Sequence, residues 1–142
     1  MLKTEILGIL GVIGAFITTL FGGWDAGLLT LIIFMAIDYI TGLIVAGVFH
    51  KSSKSKNGAL ESKAGFKGLC KKCMILLFVL IAVRLDMVMN TNFIRDGAVI
   101  AFIINETISI VENAGLMGVP VPQIIKNAID VLQKNTKGDV NE

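Results

Sequence analysis

The apolar residues of this chain fall in long blocks, and its lysines fall between the blocks. From Ile6 to Phe49 the only charged residues are Asp25 and Asp38. That stretch of 44 residues is about twice what one bilayer-spanning helix needs. It predicts two helices, roughly 5–22 and 27–49, broken at Gly22-Gly23-Trp24-Asp25-Ala26-Gly27. Glycines loosen the helix there, and Trp24 suits a lipid–water interface. A third apolar run, Cys73 to Met89, ends at Asn90-Thr91-Asn92, and a fourth, Gly97 to Val111, predicts a helix over 97–114 ending near Gly115 and Gly118. Both runs are short for a span, so flanking residues must contribute or the helices match the bilayer poorly.

Between the second and third runs lies a basic segment, 50–72, read as a surface loop with a short helix around 61–69. After Pro120-Val121-Pro122 the chain restarts. Val121, Ile125, Ala128 and Leu132 follow at offsets 0, 4, 7 and 11, with Gln123, Lys126, Asn127, Asp130 and Lys134 on the other face. This predicts an amphipathic helix over 121–135, lying on a membrane or packing on a partner chain, with a frayed tail over 135–142.

Composition agrees with this outline. Of 142 residues 54% are hydrophobic and 17% charged, and the mean hydropathy is +0.78. A soluble domain of this size needs more charge to cover its surface. The expected fold is one all-α integral membrane domain over 1–142, a bundle of about four transmembrane helices plus the C-terminal amphipathic helix. The net charge of +2 is too small to indicate a nucleic-acid partner. Cys70 and Cys73 form a lone CxxC with a single His, His50, in the chain, so neither a metal site nor a cofactor is expected. No small-x-small cleavage site follows Phe21, which predicts a retained helix and not a removable signal.

Orientation follows from the lysines. With both termini and the central segment cytoplasmic, eleven Lys lie inside and Arg95 alone outside. Lys51, Lys54, Lys56, Lys63, Lys67, Lys71 and Lys72 are then expected to hold anionic lipid, at about 1 kcal/mol each.

Charges inside a membrane need a reason, because each costs about 2.5–3.5 kcal/mol at a helix centre. Asp38 sits mid-way along helix 2, Arg84 about one turn past the middle of helix 3, and Asn105 and Glu106 mid-way along helix 4. The simplest arrangement pairs Arg84 with Asp38 or Glu106, and Asp86 adds a further acid. One cation cannot satisfy these carboxylates, so one is protonated or faces a hydrated space. Helix 4 also carries polar side chains at helical spacing: Asn105, Ser109 and Glu112 at offsets 0, 4 and 7, and Glu106, Ser109 and Asn113 at 0, 3 and 7. Asp38, Thr41, Arg84, Asp86, Asn105, Glu106, Ser109 and Glu112 form a candidate intramembrane polar seam, either a packing clamp or a surface wetted on assembly. Gly8, Gly11, Gly14, Gly42 and Ala46 permit close helix approach, within one subunit or between subunits. No Ser/His/Asp or Cys/His set and no phosphate loop occurs, so catalysis is not expected.

The segment Ala36-Ile37-Asp38-Tyr39-Ile40-Thr41-Gly42 resembles the D-x-x-T/S-G motif of a phage holin family. The basic segment with Ser52-Ser53 and Gly65-x-x-Gly68-x-x-Lys71-Lys72 is similar, as are Asn105–Asn113 and Gly118-Val119-Pro120-Val121-Pro122. The likeness runs from about Ile6 to Leu132. It implies a protein of the bacterial cytoplasmic membrane that oligomerises into lesions, collapses the membrane potential and releases an endolysin or a toxin without needing to bind it. One departure is that the next Met after Met1 is Met35, so a second early start is not supported. A small four-helix channel or transporter is the alternative, and a non-conducting membrane regulator a third reading.

Overall fold

The structure, a computed structural model, describes residues 1–138. Five helices account for most of it, with no strand among the described residues: α1 (Leu2–Leu20), α2 (Ala26–Gly47), α3 (Ser62–Met89), α4 (Ile94–Leu116) and α5 (Gln123–Gly138).

Each break has a local cause. After α1 the chain reverses at Gly22 (φ 78°) and Gly23 (φ 98°), where glycine alone avoids a Cβ penalty. The Gly23 N–H reaches the Thr18 carbonyl and the Gly22 N–H that of Thr19, which closes the helix. Asp25 then caps α2, its carboxylate accepting from the Leu28 N–H at 2.9 Å. α3 ends at Asn90, one of the few side chains that tolerates the left-handed region (φ 52°). Gly118 (φ 77°) ends the turn after α4, with the Val119 N–H on the Ala114 carbonyl.

α4 is the central helix. It packs most closely on α2 and next on α3, with α5 against it as well. Leu28, Leu31, Met35, Val79 and Val99 form the core, with Phe21, Ile75, Leu76, Phe102 and Ile103 around them. In a bilayer such packing gains dispersion and close approach, since lipid is as apolar as leucine. A Cβ added at Gly42 would make only ordinary contact with the Asn113 side chain, at 3.9 Å, and Ala46 is buried.

Two expectations are corrected here, and the expected four spans are met in part. Three helices, α1, α2 and α4, are long and apolar enough to cross a membrane. α3 is not, because its apolar part starts only after Lys72 and carries Arg84 and Asp86. The basic segment is not a loop to residue 72: α3 begins at Ser62, so the lysines from Lys63 onward sit on a helix. The tail expected to fray from 135 is helical to Gly138, while 139–142 lie outside the described residues. α1 differs in another way. None of its residues is buried, and side chains added at Gly8, Gly11 or Gly14 would meet nothing within 4 Å. The close approach expected of these glycines is therefore absent among the described residues.

Candidate functional site

The helices bring one charge from each of α2, α3 and α4 to a common point, those of α2 and α4 buried and that of α3 partly buried. Asp38 stands twelve residues into α2 and Glu106 twelve into α4, each about 18 Å along its helix at 1.5 Å per residue. Between them lies the ammonium of Lys72. Its Nζ donates to Asp38 Oδ2 at 2.7 Å and to Glu106 Oε2 at 2.6 Å. Asp38 is 5% exposed and Glu106 3%. Asn113, one of the buried polar residues of α4, donates from Nδ2 to Asp38 Oδ1 at 3.0 Å, to the Asp38 carbonyl at 3.2 Å and to Thr41 Oγ1 at 2.9 Å. Of the four carboxylate oxygens in this set, Glu106 Oε1 alone receives no hydrogen bond from the described residues.

A cavity of about 290 Å³ borders this set and extends toward the basic segment. Asp38, Lys72 and Glu106 line one end, and Ser52, Ser55 and Leu60 of the 48–61 connection line the other. The connection is folded across the opening and is ordered by its own bonds. The Lys51 N–H reaches the Val45 carbonyl, and the Ser52 N–H reaches Gly58. Gly58 (φ 77°) packs so closely on the His50 carbonyl that no side chain fits there. Along one wall the Tyr39 ring lies against Gly65 and Gly68, and its hydroxyl donates to the Gly65 carbonyl at 3.3 Å. A methyl group at either glycine would meet Tyr39 in ordinary contact, at 3.6 and 3.7 Å.

A second polar network ties the opposite end together. Asp86 accepts from Thr91 Oγ1 at 2.6 Å and from the N–H groups of Ile94 and Arg95 at 3.0 and 2.8 Å. It thus caps α4 from the neighbouring helix, satisfying N–H groups that no residue of α4 can reach. Arg95, only 8% exposed, reaches across to the α1–α2 turn. Its guanidinium donates to the Phe21 and Gly23 carbonyls at 2.7 and 3.1 Å and to Asp25 at 2.7 Å. The Arg95 hydrogen bond holds the Asp25 carboxyl below its usual 3.8, helped by the Leu28 N–H.

Several sequence expectations change accordingly. Arg84 does not pair with Asp38 or Glu106. It is exposed, and its guanidinium reaches only the Met87 sulfur, at 3.5 Å. Lys72, expected to hold lipid, is the partly buried cation that pairs with both acids instead. Asp86 is buried, but at the α3–α4 corner and away from the seam. Glu112 is exposed, whereas Asn105 and Ser109 line the cavity. Lys51, Lys54, Lys56, Lys63, Lys67 and Lys71 are all exposed near the basic end. Among the described residues no group of three or more His, Cys, Asp and Glu could hold a metal ion.

Comparison with known proteins matches residues 15–134 to the bacteriophage holin family. The chain belongs to that family. An uncharacterised protein of Listeria innocua is 40% identical over 96% of this chain and 91% of its own length. A 14.9 kDa protein of Clostridium perfringens is 40% identical over 84% of this chain and 86% of its own. A probable holin of Bacillus phage phi105 is 32% identical over 70% of this chain and 68% of its own. No solved structure matches. Family and apolar helices together make this holin-family chain a membrane protein.

Proposed function

We propose that the chain acts as a holin. It accumulates in the bacterial cytoplasmic membrane with both termini and the basic segment on the cytoplasmic side, where positive residues are retained. α3 makes a fourth crossing alongside α1, α2 and α4. The chains assemble and open lesions that collapse the membrane potential and release an endolysin or a secreted toxin, which the holin need not touch. The chain itself catalyses nothing.

The observation that carries this reading is the family match over residues 15–134. The buried set Asp38–Lys72–Glu106 supports a mechanism for it. In the resting chain Lys72 pairs with both carboxylates inside the bundle. On assembly they turn to line a wet space, where water replaces their mutual contacts. Loss of potential favours the change, since one charge moved across 100 mV is worth about 2.3 kcal/mol. A fixed cation path is the second reading, because a cavity already borders the set.

Inducible expression in bacteria with a co-expressed cytoplasmic cell-wall hydrolase tests the proposal. Abrupt depolarisation after a delay, followed by hydrolase-dependent lysis, is the expected result. Steady growth at intact potential refutes it. Apolar replacement of both Asp38 and Glu106 should shift the timing; unchanged timing removes the seam from the mechanism.

A further inference from the structure

Asp38, Lys72 and Glu106 together carry two negative charges and one positive. The surplus negative charge sits on groups that are almost fully enclosed: Asp38 is 5% exposed and Glu106 3%. An uncompensated buried charge is costly, and a carboxyl group in that position neutralises by taking up a proton. A metal cation is a poorer fit, since the Lys72 ammonium already occupies the point between the carboxylates and the described residues offer no cluster of three acids.

Two further observations say where such a proton would sit and how it would arrive. Glu106 Oε1 is the one carboxylate oxygen of the set with no donor among the described residues. Glu106 also borders the 290 Å³ cavity, which is large enough for several waters. The lining beside the acids is polar, with Asn105 and Ser109 on α4. Lys54 and Lys71, both exposed, also line the cavity.

We propose that Asp38, Lys72 and Glu106 form a proton-binding site that holds one exchangeable proton between the two carboxylates, loaded from the basic end through the cavity. The proton comes from water and returns to water, and only an O–H bond forms or breaks. The charged and titratable groups facing the site are Asp38 from α2, Lys72 and Lys71 from α3, Glu106 from α4, and Lys54 and Glu61 from the connection across the opening. Tyr39 faces the same cavity, with its hydroxyl donated to Gly65. The site does not depend on lysis, so it stands or falls separately from the holin proposal.

Infrared difference spectroscopy on the full chain in phosphatidylcholine–phosphatidylglycerol vesicles tests this. At neutral pH the wild-type chain should show the carbonyl stretch of one protonated carboxylic acid, shifted in heavy water. Glu106→Gln and Asp38→Asn should each remove or displace it, and Lys72→Met should roughly double it by leaving both acids to neutralise. A bulky maleimide on Ser109→Cys should slow exchange of the band several-fold. Absence of the band from the wild-type chain at neutral pH overturns the site, whatever the variants do. A band that survives unchanged in both amide variants overturns it equally. Exchange unaffected by the label overturns the cavity as its route.

Discussion

Replacing Lys72 by methionine removes the one cation that contacts both Asp38 and Glu106, at 2.7 and 2.6 Å, while keeping a long apolar stem. Deleting one partner of a buried ion pair costs about 3–5 kcal/mol, because the other charge is left without compensation. Here two carboxylates lose their partner, and proton uptake offsets part of the loss. We therefore expect a cost of about 3–4 kcal/mol, a drop of roughly 10² to 10³ in the folding equilibrium constant. Reversible unfolding in mixed micelles, followed by circular dichroism over a dodecyl sulfate titration, measures it. Arg84→Met is the control. It deletes a cation of equal charge from an exposed position on the same helix, and should cost no more than about 0.5 kcal/mol. Combining Lys72→Met with Asp38→Asn and Glu106→Gln should recover most of the stability, since no unpaired charge then remains. If Lys72→Met costs no more than Arg84→Met, the three-charge set does not hold the bundle together and the reasoning fails.

Asp86→Ala strips three acceptor contacts from the α4 start and should cost about 2–3 kcal/mol, with amide exchange at Ile94 and Arg95 accelerating most. Gly58→Ala forces a side chain onto the His50 carbonyl, so a cysteine at Ser55 should react faster with a water-soluble maleimide in that background than in the parent. Asp25 should titrate below the ordinary 3.8 when followed by carbon NMR. Because its folded value is lowered, its contribution is present at neutral pH and lost as acid carries the solution through that lowered value. The Asp25 side chain is 51% exposed, so Asp25→Asn should cost less than about 1 kcal/mol at neutral pH.

The helices were legible because apolar runs and breakers are one-dimensional signals. Gly22-Gly23 and Asn90 mark turns in the sequence as they do in the fold. The depth of Asp38 and Glu106 was equally legible, since each lies at the middle of an apolar run. What the sequence hid was the partner. Lys72 sits just outside its apolar run and reads as a lipid-facing lysine, but its long stem reaches inward along the bundle. Arg84 lies well inside the run, yet it faces away. Twelve residues beyond Lys72 at 100° each leave it about 120° around the helix, whereas Val79, Val83 and Asp86 fall within about 40° of Lys72. Those three are buried and Arg84 is exposed. Helical phase counted from Lys72 would have found the inward face. The corner network was not legible, because Asp86 and Arg95 bond mainly to backbone groups that carry no sequence signature.

The bond lengths around Lys72 also restrict how the bundle can move. Three charges on three helices act as a pin through three plates. Sliding any one helix by a turn displaces its charge by about 5.4 Å, twice the length of either bond to Lys72, and unseats the pin. Tilting or swivelling about the pin stretches those bonds far less. The bundle is thus free to splay at its ends and locked against piston-like travel, so any rearrangement that keeps these contacts must be a pivot about the level of Asp38 and Glu106.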